Sequence, residues 1–210
     1  MAICEIGSGR GYFCAGQVGG IKKVYLANWY DDHRIDYVTV GALATAPSAT
    51  AGTITDITLV GGGSSGAGES LNFFEFDLDR QLSSFNQTVV TGSGGTLTYQ
   101  TDLDLHMSHD SQESWARMQL VCEGVFQVIV EDNNGVYYLA GVTNGIQVSG
   151  GTYAHGGDVA YTDYVGYVIQ MTGAEKLPAY NMSTATPFKA YSPSTDSLVL
   201  SALTYNVPQV

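Results

Sequence analysis

Two stretches of the chain alternate strictly between apolar and polar residues. In Phe74–Asp79 the apolar Phe74, Phe76 and Leu78 alternate with Glu75, Asp77 and Asp79. In Asp102–Met107 the apolar Leu103, Leu105 and Met107 alternate with Asp102, Asp104 and His106. A period of two sends successive side chains to opposite faces, so each stretch predicts a half-buried strand whose carboxylates share one face about 7 Å apart. Further runs rich in apolar and β-branched residues predict strands at Ile21–Trp29, Tyr37–Val40, Thr53–Val60, Val125–Val130, Val136–Leu139, Ile146–Val148, Tyr164–Met171 and Leu198–Leu203. Asn134-Gly135 and Asn144-Gly145 supply the positive φ that tight turns between strands require.

Helical spacing occurs once. Asp110 stands where a cap is needed, Glu113 follows in capping-box position, and Trp115, Met118, Leu120 and Val121 form an apolar stripe. This predicts a helix over about 110–122, ending near Glu123-Gly124. Arg80–Gly95 closes on Gly92-Ser93-Gly94-Gly95 and predicts a long projecting loop between the two acidic strands. Gly61–Gly68 and Gly150–Asp158 predict loops as well. The chain then divides into an N-terminal arm (1–20), a domain at 21–180 and a C-terminal strand or arm (181–210). The fold class is mainly β, a β-sandwich or barrel with one flanking helix and a projecting β-hairpin loop.

Charge narrows the function. Residues 1–40 balance Glu5, Asp31, Asp32 and Asp36 against Arg10, Lys22, Lys23 and Arg34. Beyond residue 40 the bases are Arg80, Arg117, Lys176 and Lys189 alone, so the whole net charge of −12 lies there. Nucleic-acid readers bind phosphate through clustered Lys and Arg, and no basic stripe is present. The opening MAICEIGSGRGYF has no basic region leading into an apolar run, and no stretch reaches membrane-spanning length. The expectation is a protein assembled inside the cell and in no membrane. Three cysteines at irregular spacing (Cys4, Cys14, Cys122) fit reduced thiols, with a Cys4–Cys14 link as the alternative.

Candidate chemistry is sparse. His106 and His109 stand beside Asp102, Asp104 and Asp110, but a zinc site needs three or four convergent ligands, and a solvated polar face is the simpler reading. Asp31-Asp32, Asp77 with Asp79, and Glu131-Asp132 are possible calcium ligands, though none has EF-hand spacing. Gly61–Gly68 lacks the Lys of a phosphate-binding loop, and neither GxSxG nor HExxH occurs. Paired carboxylates of the glycosidase kind are a weak possibility, because any acidic sheet provides the spacing. The chain is expected to be no enzyme and to hold no cofactor or metal.

Three segments carry a resemblance: GGIKKVYLAN (19–28), VEDNNGVYYLAGVTNGI (130–146) and GYVIQMTGAEKLPA (166–179). With the amphipathic strands and single helix between them, the chain resembles virion proteins of tailed bacteriophages, most of all tail-tube (major tail) proteins. The resemblance implies a subunit of stacked, hexameric rings whose inner strands join across copies into one barrel. It implies that Glu75, Asp77, Asp79, Asp102 and Asp104 face an acidic lumen through which double-stranded DNA passes without sticking. Arg80–Gly95, with Arg80, Phe85, Asn86, Val89 and Val90, becomes the inter-ring loop, and the N-terminal arm an inter-subunit strap. The partners implied are further copies of the chain and other tail proteins, in a virion tail assembled in the host cytoplasm. A connector, baseplate or decoration protein is the alternative within virions. A calcium-dependent carbohydrate-binding β-sandwich is the alternative outside them.

Overall fold

The computed structural model describes residues 3–4, 12–13, 18–30, 34–40, 54–59, 70–92, 94–108, 112–155, 164–182, 190–192 and 197–201. The strands in chain order are β1 (Ile3–Cys4), β2 (Tyr12–Phe13), β3 (Ile21–Asn28), β4 (Ile35–Val40), β5 (Ile54–Leu59), β6 (Ser70–Asp77), β7 (Ser84–Thr91) and β8 (Leu97–Ser108). Helix α1 (Gln112–Glu123) follows, then β9 (Val125–Asp132), β10 (Tyr137–Ala140), β11 (Ile146–His155), β12 (Val165–Glu175), β13 (Tyr180–Asn181), β14 (Ala190–Ser192) and β15 (Ser197–Ser201). The fold is mainly β with one helix among the described residues, as the alternation predicts. The predicted cap Asp110 and the loop Gly61–Gly68 lie outside those residues, as does Cys14 of the possible disulfide. Cys122 is a free, exposed thiol.

All strand pairs are antiparallel, and β9 is the branch point of the main sheet. One side of β9 pairs with β3. Its other side is shared, with Val128–Glu131 against β10 and Val125–Phe126 against β11. Sheet I therefore runs β14-β15-β6-β3-β9-β10-β13, and β11 leads away into sheet II, β11-β12-β8-β7. β1 with β2, and β4 with β5, form separate two-stranded pairs.

Two cores explain the burial. In the first, Val24, Leu26, Val128 and Val130 of sheet I pack with Leu103, Leu105, Ile169 and Met171 of sheet II, joined by Met118 and Val121 of α1. In the second, Tyr25, Ala27, Ile129, Leu71 and Phe73 on the opposite face of sheet I pack with Ile35, Ile54 and Ile57 of β4–β5. Sheet I is thus the middle of three layers, and its central strand β9 reads as a near-continuous apolar run because both its faces are covered. Gln127 interrupts that run and is fully buried. Its side chain accepts from Ile35 N–H and donates to Ile35 C=O, both at 2.8 Å, completing for β4 the bonds a strand neighbour would give.

Several expectations are corrected in detail. Arg80–Gly95 is no long loop: Asp79–Ser83 form a turn, Ser84–Thr91 are strand β7, and β7 pairs with β8 along its whole length. The physical reason is pairing with β8, since Phe85 packs against the first core while the strand from Asn86 onward is exposed on both faces and is held by its bonds to β8. The remaining turn is short, closed by Gly92 N–H to Thr96 C=O at 2.8 Å. Gly150–Gly151 likewise continue β11 instead of opening a loop, across a bulge after Val148. There a side chain on Gly151 would sit 3.0 Å from Val168 O, so glycine permits the close approach of β12. On α1, Leu120 is 71% exposed and does not belong to the buried stripe, because it lies about 200° around the helix from Met118. On β6, Phe74 is 40% exposed, whereas Leu71 and Phe73, outside the predicted alternation, are completely buried.

Candidate functional site

The acidic residues of the two alternating strands do not lie together. Register places Glu75 opposite Tyr25, whose ring belongs to the second core, so Glu75 and Asp77 are on the β4–β5 side of sheet I. Leu103, Leu105 and Met107 of β8 fill the first core, so Asp102, Asp104 and His106 point away from it on the outer face of sheet II. Two layers of backbone and a core separate the rows. A single surface can present one row or the other, not both. Asp79 lies beyond the end of β6 in a turn, where its carboxylate accepts from Gln81 N–H at 3.1 Å.

The sheet I row is partly neutralised by local lysines. A bulge between Ile21 and Lys23 sets two consecutive lysines against the single residue Glu131. Lys22 pairs with Glu131 at 2.7 Å, and Lys23 pairs with Glu75 and, at 3.4 Å, with Asp77. The hydrogen bond to Glu75 holds the Lys23 ammonium above its ordinary pKa. Glu131 is buried and also accepts from Tyr25 O–H at 3.0 Å. Two of the N-terminal bases that balance on paper against N-terminal acids, Lys22 and Lys23, are thus matched in space to acids from far along the chain.

Burial, then the negative charge of Glu131, raises the Tyr25 hydroxyl far above its ordinary pKa of 10. The sign follows from linkage. Tyr25 holds its proton more tightly in the folded chain, so its contribution is complete below pH 10 and is lost as pH rises beyond it. Tyr138, Tyr164 and Tyr180 are shifted the same way, chiefly by burial. Urea midpoints measured at rising pH are expected to fall above pH 10. Tyr25→Phe is expected to start lower and fall less steeply, since it removes both the Glu131 bond and the largest of these shifts.

Sheet II is different in kind. β7, β8, β11 and β12 contain no Lys or Arg at all. Across its outer face Asp102 lies between Asn86 and Thr172, and Asp104 between Ser84 and Gln170. Asp102 is held upright by neutral donors, Thr172 O–H at 2.8 Å and Gln100 Nε2 at 3.1 Å. Asp104 has His106 Nε2 at 3.6 Å, and the His106 ring stands edge-on to Tyr164. Ser84, Asn86, Asp102, Asp104, Ser149 and Gln170 line an open depression of about 320 Å³. The neutral residues Thr172, Gln170 and Ser149, which sequence reasoning missed, complete this surface. Their signal was the alternation of Gln170 and Thr172 with Ile169 and Met171 in β12, and of Gln147 and Ser149 with Ile146 and Val148 in β11.

The remaining sequence candidates are placed as follows. Phe85 stacks on Tyr138 with ring centroids 5.9 Å apart. Asn86, Val89 and Val90 are exposed positions of β7, and Arg80 lies in the turn before it. Of the possible calcium ligands, Asp31 and Asp32 lie outside the described residues, as do His109 and Asp110 of the metal candidate. Asp77 and Glu131 are engaged by lysine, and Asp132 accepts from Asn134 N–H and Val136 N–H in the turn. Among the described residues no group of three or more His, Cys, Asp or Glu converges. No described helix is long and apolar enough to cross a membrane.

No family model matches the chain, and neither a curated protein nor a solved structure matches it.

Proposed function

We propose that the chain is a structural subunit of a bacteriophage tail tube, building rings in which the outer face of sheet II lines the channel for double-stranded DNA. The observation that carries this reading is a broad four-stranded sheet face, polar and acidic, on strands that hold not one Lys or Arg. DNA binds proteins by releasing counterions to cationic side chains, and a wall without cations gives a sliding duplex nothing to hold. The lumen-facing acids of this proposal are Asp102 and Asp104. Glu75 and Asp77, already paired with Lys23, stand outside the channel, and Asp79 serves its turn.

The same sheet offers a means of ring closure. β7 ends it, with no strand beyond it among the described residues and no charged residue or proline in SFNQTVVT to guard its free edge. At the opposite margin, Val148–His155 of β11 have β12 on one side and no second strand on the other among the described residues, with α1 close by. A β7 margin that meets the β11–α1 margin of the next copy makes a head-to-tail contact, the kind that closes rings. The subunit itself performs no catalysis in this reading, and its partners are its own copies, other tail proteins and passing DNA.

The test is charge removal in assembled tails. Asp102→Asn with Asp104→Asn is expected to leave the melting temperature near wild type and to slow DNA ejection, measured by dye release from phage. Glu75→Gln with Asp77→Asn is expected to leave the ejection rate unchanged. Slower ejection from the second pair and not the first would reverse the assignment of faces.

A further inference from the structure

The turn at Asn133-Asn134 grips the segment Val18–Gly20 through its backbone. Val18 N–H donates to Asn134 Oδ1 at 3.1 Å, and Val18 C=O accepts from Asn134 Nδ2 at 3.0 Å. Gly19 C=O accepts from Asn133 Nδ2 at 2.7 Å, and Gly20 C=O from Asn133 N–H at 3.3 Å. One carboxamide, that of Asn134, thus supplies both bonds that a residue in an antiparallel ladder would give to Val18. Asn134 is exposed, and the residue after it is Gly135, at φ +78°. With no side chain on Gly135, its main-chain nitrogen can approach the Asn134 carboxamide once the turn opens.

We propose that Asn134 is a deamidation site, and that its conversion to aspartate releases the grip on Val18–Gly20. Gly135 N gives its proton to hydroxide and attacks Asn134 Cγ. The new C–N bond closes a succinimide, and the carboxamide nitrogen leaves as ammonia after taking a proton from water. A water molecule then opens the ring to aspartate or isoaspartate, so the balance is one water consumed and one ammonia released. In the gripped state the leaving nitrogen is held by Val18 C=O and by Asp132 Oδ2 at 3.0 Å, and Gly135 N–H is engaged by Asp132 C=O at 3.1 Å. Reaction therefore reports on opening of the turn. The product cannot close it again as before. A carboxylate has no proton to offer Val18 C=O, and it meets the Asp132 carboxylate with like charge.

Asn144-Gly145 is the internal comparison. Asn144 Nδ2 donates to Ala174 C=O at 2.6 Å, and Gly145 is so closely packed that a side chain there would lie 2.4 Å from Val125 Cγ1. This peptide has no room to swing onto its carboxamide.

The experiment incubates the full chain at mildly alkaline pH and maps the exchange of NH₂ for OH by peptide mass, alongside hydrogen exchange of the amides at residues 18–20. Conversion is expected at Asn134 before Asn144. The converted fraction, and the variant Asn134→Asp, are expected to exchange the Val18 region about five- to tenfold faster, the factor carried by about one lost hydrogen bond. Conversion at Asn144 first, or unchanged protection of residues 18–20 in the converted wild-type chain, would overturn the proposal. The wild-type fraction decides the matter even if the variant folds poorly.

Discussion

Replacing Gln127 by leucine is expected to lower the unfolding free energy by roughly 3–6 kcal/mol and to detach β4–β5 from sheet I. Leucine nearly matches glutamine in volume, so no large cavity opens, and the loss is polar. Gln127 is completely buried on the middle strand of the three layers and bonds three backbone groups: Ile35 N–H, Ile35 C=O and, at 3.1 Å, Val142 C=O. Each of these left buried without a partner costs about 1–3 kcal/mol. Water that enters to satisfy them must part the layer covering Tyr25, Phe73 and Ile129. Urea unfolding followed by both circular dichroism and hydrogen exchange measures this, with exchange at Ile35 rising before the rest of sheet I. A loss below about 1 kcal/mol, within the range of an ordinary surface change, would mean that Gln127 does not hold the layer.

The second large effect concerns assembly. Val89, on the inner side of β7, is 53% exposed, and Thr152 of β11 is exposed at the other margin of sheet II. A lysine at a free sheet margin prevents strand approach at little cost to the folded subunit. Val89→Lys and Thr152→Lys are each expected to abolish ring formation while keeping the wild-type melting temperature. Mixed together, the two variants retain one intact β7 margin and one intact β11 margin between them. A head-to-tail interface then predicts one-to-one pairs that grow no further, seen as a dimer by light scattering. Rings from either variant alone, or no association in the mixture, would show that these margins do not form the contact.

Much of this architecture was legible in the residues, and the parts that were not have physical reasons. The β8 alternation was readable because one face of β8 meets a core and the other meets solvent. β6 was misread in part because its covering changes along its length. Leu71 and Phe73 pack under β4–β5, while Phe76 and Leu78 face the first core, so no single alternation describes the strand. β7 was hidden by its composition, since an edge strand with an uncharged polar face resembles a loop until its partner is known. The acidity was counted correctly but could not be assigned to a surface. Lys23, beside a bulge that frees Lys22 for Glu131, pairs with both Glu75 and Asp77, and only register reveals that. Gln127 was similarly invisible, because a lone glutamine in an apolar run says nothing about which backbone it serves.

The proposed function rests on a tube, and a tube of this size would be visible directly. Negative-stain micrographs of the purified wild-type protein at high concentration are expected to show closed rings, stacking into tubes about 100 Å wide. Particles that stay monomeric at every concentration, with sedimentation independent of loading, would contradict the account.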